Sequence, residues 1–167
     1  MLSVLMLAGC QKPEPAAAPS DPDIGPNGIP THAQPMLRTM KLYLGSEVLD
    51  AELALTEKEE RIGMMYRTNI PETDAMLFDL YIPQRASFWM TNCPESLSAA
   101  YINPDGVIEE IHHLEKNDNV PVVADHDNIQ YVLETKDGWF DRHHISAGMV
   151  IQTEKGSLAE TFSSARP

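Results

Sequence analysis

The sequence predicts a mainly β protein: one compact β-sandwich or barrel-like domain with two short helices, hung on a disordered N-terminal segment. Three observations lead there. Short runs of aliphatic, aromatic and β-branched residues recur at close spacing between clusters of Gly, Pro, Asn and Asp. Helical patterning is confined to two stretches, Thr56–Met65 and Trp139–His144. Many of the 13 prolines fall before or at Pro35, which divides a tail from a body. A chain of 167 residues with 43% hydrophobic residues has room for one ordinary core.

The chain opens on an apolar run, Met1-Leu2-Ser3-Val4-Leu5-Met6-Leu7-Ala8-Gly9-Cys10. It resembles a lipoprotein signal peptide, with Leu7-Ala8-Gly9-Cys10 in the place of the lipobox and Cys10 as the acylated residue. Several acyl chains on one cysteine hold a protein at a membrane where a single chain would not. The run is short for a signal peptide and has no Lys or Arg in front, which fits a start codon assigned too late. Gln11 rather than Asp after the cysteine favours the outer membrane. The expected location is thus the cell envelope, at the periplasmic face of the outer membrane. Residues 11–35 are rich in Pro, Ala, Ser, Asp and Gly, too poor in large apolar groups to offset ordering entropy, and read as a tether.

The body is expected over residues 36–154. Met36–Leu44 and Val48–Leu55 flank Gly45-Ser46 and read as a hairpin. Thr56-Glu57-Lys58-Glu59 is a capping box, starting a helix that carries a costly Gly63. Further strands are expected at Met76–Tyr81, Ala86–Met90 and Leu97–Ile102. Asn103-Pro104-Asp105-Gly106 then turns the chain into Val107–Leu114. Glu115–Asp127 reads as a surface loop, Ile129–Glu134 as a strand, Trp139–His144 as the second helix and Met149–Thr153 as the closing strand. Residues 155–167 read as a frayed tail.

Four blocks of the body resemble the domain of unknown function 192 family, also called uncharacterised protein family 0127. They are Glu60-Arg61-Ile62-Gly63-Met64-Met65-Tyr66-Arg67, Met76-Leu77-Phe78, Phe88-Trp89-Met90-Thr91-Asn92, and Tyr131-Val132-Leu133-Glu134 with Gly138-Trp139-Phe140. Their order and spacing fit over about Met40 to Thr153. Here Ala75 replaces the family's Gly, Cys93 a Thr, Ser98 an Asp and Met149 an Asp, so two carboxylates of the pattern are missing. The resemblance implies a compact, mainly β domain, often exported or anchored, with no agreed activity.

The formal net charge is −13, with no basic stripe, which argues against nucleic acid as a partner. Four side chains are candidates for a binding site. Arg67, at the end of the first helix, can grip a carboxylate bidentately or pair structurally with Glu134 or another acid, holding the helix onto the sheet. Trp89 and Asn92 can form a stacking platform with an amide, or a core Trp with a turn Asn. Glu134, ending an apolar strand, needs a cation if buried. No complete catalytic set emerges. Cys93 reads as a small polar substitution, and His112-His113 and His143-His144 lack metal-ligand spacing, so neither cofactor nor metal is expected. The expectation is a non-catalytic envelope module for a glycan, a peptide or an envelope protein. The alternative is an envelope hydrolase built on Glu134 and Arg67.

Overall fold

The computed structural model describes residues 21–163; the lipobox, Cys10 and the first part of the expected tether lie outside the described residues. The mainly β expectation holds. Eight strands form one large mixed sheet that is not closed into a barrel, in the order β10-β9-β1-β2-β3-β8-β5-β6. Strand β1 (Thr39–Leu44) and β2 (Glu47–Ala54) form the expected hairpin, with Gly45 at a φ of 65° in the turn. Helix α1 (Glu57–Ile62) then carries the chain across to β3 (Asp74–Gln84), which pairs parallel to β2. This is the crossover that parallel neighbours require. The other pairings in this sheet are antiparallel: β8 (Ile129–Lys136) lies between β3 and β5 (Leu97–Ile102), and β6 (Ile108–Leu114) forms the edge beyond β5. A second, two-stranded sheet joins β4 (Ser87–Phe88) to β7 (Val122–Val123).

Both faces of the large sheet are covered. One face packs Leu42, Leu77, Tyr131 and Leu133 against Trp139 and Phe140 of α2 (Trp139–Arg142) and against Leu158 and Phe162 of α3 (Leu158–Ser163). The other packs Met76, Phe78, Ala99, Tyr101 and Val132 under Met64, Met65, Ile70, Met90 and Cys93. Strands buried on both faces need no polar alternation, which is why every residue of β5 and all but the last of β8 are buried.

Four expectations need correction. The described residues hold three short helices rather than two. The expected closing strand is present as β9 (Ile151–Thr153), but residues 155–163 of the stretch expected to fray form β10 (Gly156–Ser157) and α3, held by the burial of Leu158 and Phe162 on one helix face. Ser157 Oγ accepts from the Glu160 backbone N–H while the Glu160 carboxylate accepts from that of Ser157, a second capping box. From Asp21 the expected tether lies against α1. Lys58 bridges Asp21 and Asp23, Tyr66 donates to the Pro30 carbonyl, and buried Gln34 donates to the carbonyls of Glu59 and Gly63. This segment is ordered by polar side-chain contacts, and its scarcity of large apolar residues gives no sign of them. Finally, Gly63 is not inside the helix but ends it, at φ 49° and ψ −131°.

Candidate functional site

The site grows from one row of residues running across the sheet. Register places Glu52 of β2 beside Met76 of β3, Met76 beside Glu134 of β8, Glu134 beside Ala99 of β5, and Ala99 beside His112 of β6. Two buried carboxyls thus share a face, two strands apart, which is roughly 10 Å at the usual strand spacing. They have different surroundings. Glu52 receives both terminal nitrogens of Arg67 in a bidentate pair, Nη2 to Oε2 at 2.8 Å, and the Leu37 backbone N–H at 2.7 Å. Burial alone would raise its pKa, but these donors outweigh burial and hold it below the ordinary carboxylate value. Glu134 is only 4% exposed, and no described residue donates a hydrogen bond to it. Burial pushes its pKa up to about 8.

Glu134 lies in a cavity of about 340 Å³ between the end of α1, strand β3 and the β4 segment, whose walls include Met64, Met65, Phe78, Leu80, Phe88 and Trp89. The α1 end is positioned by local chemistry. Thr56 and Glu59 close the capping box, Glu57, Glu59 and Glu60 place negative charge at the helix N-terminus, and Gly63 turns the chain so that Met64 and Met65 fold down onto the sheet. A Cβ on Gly63 would sit 3.4 Å from the Phe78 ring. Glu60, on the helix side of the cavity, has a buried Oε1 with no hydrogen-bond partner. Burial, then the charges of Asp79, Glu57 and Glu59, push its pKa up to about 7. Arg61 also reaches the cavity, but its guanidinium pairs with Glu57 at 2.8 Å.

Of the four expected binding residues, the structure brings Trp89 and Glu134 to this cavity and leaves Arg67 and Asn92 out of its lining. Arg67 pairs with Glu52, not with Glu134, because the α1–β3 loop descends over β2, two strands from β8. Trp89 is 51% exposed and so is not a core residue; the core tryptophan is Trp139, stacked on His143 with ring centroids 4.4 Å apart. Asn92 adopts a φ of 60°, and its carbonyl accepts from the Tyr66 N–H at 2.8 Å, fastening two loops. Cys93 is buried beside Glu134, and burial followed by that carboxyl's charge pushes its thiol up to about 12, the opposite of an activated nucleophile.

Sequence reasoning passed over Glu52, Glu60 and Glu110. Glu52 alternates with Val48 and Asp50 along β2, both exposed, so its position along the chain gave no sign of its burial. Glu110 accepts from His112 at 2.6 Å, from His126 Nδ1 at 2.8 Å and from the backbone N–H groups of Asp125 and His126. Burial raises its pKa, yet those donors outweigh it and bring the net value down to about 2. His112 is a neighbour on the same strand, but Asp125 and His126 come from a distant loop, so spacing could not show the full set. No group of His, Cys, Asp and Glu among the described residues is arranged to hold a metal ion.

Residues 40–153 match the family model DUF192, described as Uncharacterized ACR. The chain belongs to the DUF192 family. Two solved structures share the fold. One, from Sinorhizobium meliloti 1021 and provisionally described as a transcription regulator, is 27% identical. The match covers 69% of this chain and 92% of that one, with a TM-score of 0.64. The other, a protein of unknown function from Novosphingobium aromaticivorans DSM 12444, is 26% identical over 87% of this chain and 99% of that one, with a TM-score of 0.65. No curated protein matches the chain. Ser98 and Met149 of this DUF192 chain lie outside the cavity lining. Ser98 Oγ accepts the Gly138 N–H at 2.9 Å ahead of α2, and Met149 packs against the core on the α2 face.

Proposed function

We propose that this protein is a non-catalytic binding module of the cell envelope, held by acyl chains on Cys10 at the periplasmic face of the outer membrane. In this reading the cavity between α1, β3, β4 and β8 receives a glycan or a peptide. The observation that carries the reading is the union of an apolar cavity of about 340 Å³ with a buried, unpaired carboxyl, Glu134, in its lining. Cavities of this size and makeup, with a few polar groups to fix orientation, are the usual form of ligand sites. Trp89, half exposed at the cavity, offers an aromatic face for a sugar ring or an apolar side chain. The net charge of −13 argues against direct contact with nucleic acid.

The test is a thermal-shift screen of cell-wall glycans and short peptides against the full chain. A ligand should raise Tm in the native protein and fail to do so in Trp89→Ala, whose own fold stays intact by circular dichroism. A screen without hits, or hits indifferent to Trp89, would remove the cavity from consideration. Anchoring is tested separately: Cys10→Ser should move the protein from the membrane fraction to the soluble periplasm.

A hydrolase reading is favoured by one observation only, that Glu60 and Glu134 both hold protons near neutral pH, as a general acid must. It loses Arg67 as a substrate clamp, because Glu52 occupies that guanidinium. Turnover of chromogenic glycosides or peptides that vanishes in Glu134→Gln would favour it over binding alone.

A further inference from the structure

Glu52 and Glu134 form an internal comparison. Both are buried, and both sit in the same cross-strand row. Where the carboxyl belongs to the framework, the chain supplies a guanidinium and a backbone N–H. At Glu134 it supplies neither. The flanking residues of the row are Met76 and Ala99, which carry no charge. Across the cavity, the buried Oε1 of Glu60 has no partner either. The basic side chain in the lining, Arg61, is held by Glu57. Burying carboxyl groups without donors costs free energy that folding must offset.

We propose that the cavity takes a primary alkylammonium, with its N–H groups on Glu134 and its apolar stem against Met64, Met65, Phe78 and Phe88. This rests on the binding-module reading and names the chemical class of its ligand. A primary ammonium brings three donors and one positive charge, which is what the Glu134 carboxyl lacks. Trp89 adds a ring face that attracts cations. The group can belong to a lysine side chain of a peptide or to a free amine; the chemistry at the cavity is the same.

Binding has a proton signature. The titratable and charged groups that face Glu134 are the Cys93 thiol and the Tyr101 phenol, both pushed up and neutral at pH 7, with Glu57, Glu60 and Arg61 at the helix wall. Glu134, raised to about 8, carries its proton at pH 7. An arriving ammonium favours the ionised carboxyl, so that proton passes to the buffer, about one per ligand bound. At pH 9 the carboxyl is already ionised and the release disappears.

The experiment is calorimetric titration of the full chain with n-hexylamine, with n-hexanol as the uncharged counterpart and N-acetyl-lysine methylamide as the peptide-like arm, each at pH 7 and pH 9 in buffers of different ionisation enthalpy. Hexylamine should bind at least tenfold more tightly than hexanol and release a proton at pH 7 but not at pH 9. Glu134→Gln, which keeps size and shape, should lose tenfold or more in amine affinity and the proton release. A lysine derivative that outbinds hexylamine points to a peptide source, and the reverse order to a free amine. Equal binding of hexanol, amine binding unchanged in Glu134→Gln, or no amine binding at all overturns the proposal. The binding-module reading survives any of these if uncharged cell-wall fragments still bind through Trp89. It falls with the proposal if they do not.

Discussion

Arg67 and Glu134 make opposite contributions to stability. Removing Arg67 strands the Glu52 carboxylate in the sheet, and breaking a buried pair from one side costs about 3–5 kcal/mol. Arg67→Ala should therefore be far more destabilising than Arg67→Ala combined with Glu52→Gln, and a double-mutant cycle by urea denaturation measures the difference. Glu134 behaves in the reverse sense. Its folded pKa, about 8, lies above the ordinary carboxylate value, so the folded state holds a proton that the unfolded chain gives up above roughly pH 4.5. Stability falls as pH rises between those values. Glu134→Gln should remove that loss, leaving the variant more stable than the native protein at pH 8 by a few kcal/mol, on the order of 3–5 from the linkage relation, and nearly equal to it at pH 4. Denaturation curves at the two pH values decide; a variant less stable at pH 8 would show that Glu134 has a partner in the fold. The burial of Glu134 was legible from its place at the end of an apolar strand, but the expected cation is replaced by a retained proton. The identity of Arg67's partner was not legible, because it depends on which strand lies under the descending loop.

At the level of elements, α1 was legible almost residue by residue, since a capping box is a local device whose four residues are contiguous. Its end was not. Gly63 looked like a weak point inside a helix, whereas its left-handed φ is what ends the helix and brings Met64 and Met65 to the sheet. Gly63→Ala should cost more than the ordinary ~1 kcal/mol of a glycine effect, because its positive φ lies in a backbone region that alanine avoids. Its Tm should drop, and ligand affinity at the cavity should fall with it. Helix α3 carried the same kind of local signal, Ser157-x-x-Glu160 followed by Thr161 and Phe162, but it was hidden by the polar composition around it. Phe162→Ala should destabilise the domain by about 3–5 kcal/mol, a value no frayed tail would show, and hydrogen exchange should find the α3 amides protected in the native protein and exposed in the variant.

The whole molecule is an open sheet whose two faces are both sealed, one by α2 and α3, the other by loops and the end of α1. Only the loop-sealed face leaves a cavity lined by Glu134 and Trp89, since short connections pack less continuously than helices. The two kinds of charged cluster set the pH range of stability. Glu110, held down to about 2 by the backbone N–H groups of His126 and Asp125 and by the side chains of His112 and His126, stabilises the folded state above the ordinary carboxylate value, and that contribution is lost as pH falls toward 2. Glu60 and Glu134 act from the alkaline side, so a Tm profile should peak at mildly acidic pH rather than at pH 8. The sequence by itself determined the mainly β class, most strand positions, the first capping box and the family, because periodicity, turn residues and contiguous motifs act over short stretches. Only the tertiary structure decided which carboxyl meets Arg67, that Trp89 faces solvent while Trp139 is buried, and that Glu134 lines a cavity without a counter-charge. Strand order and the path of loops set those outcomes, and they depend on contacts between residues far apart in the chain.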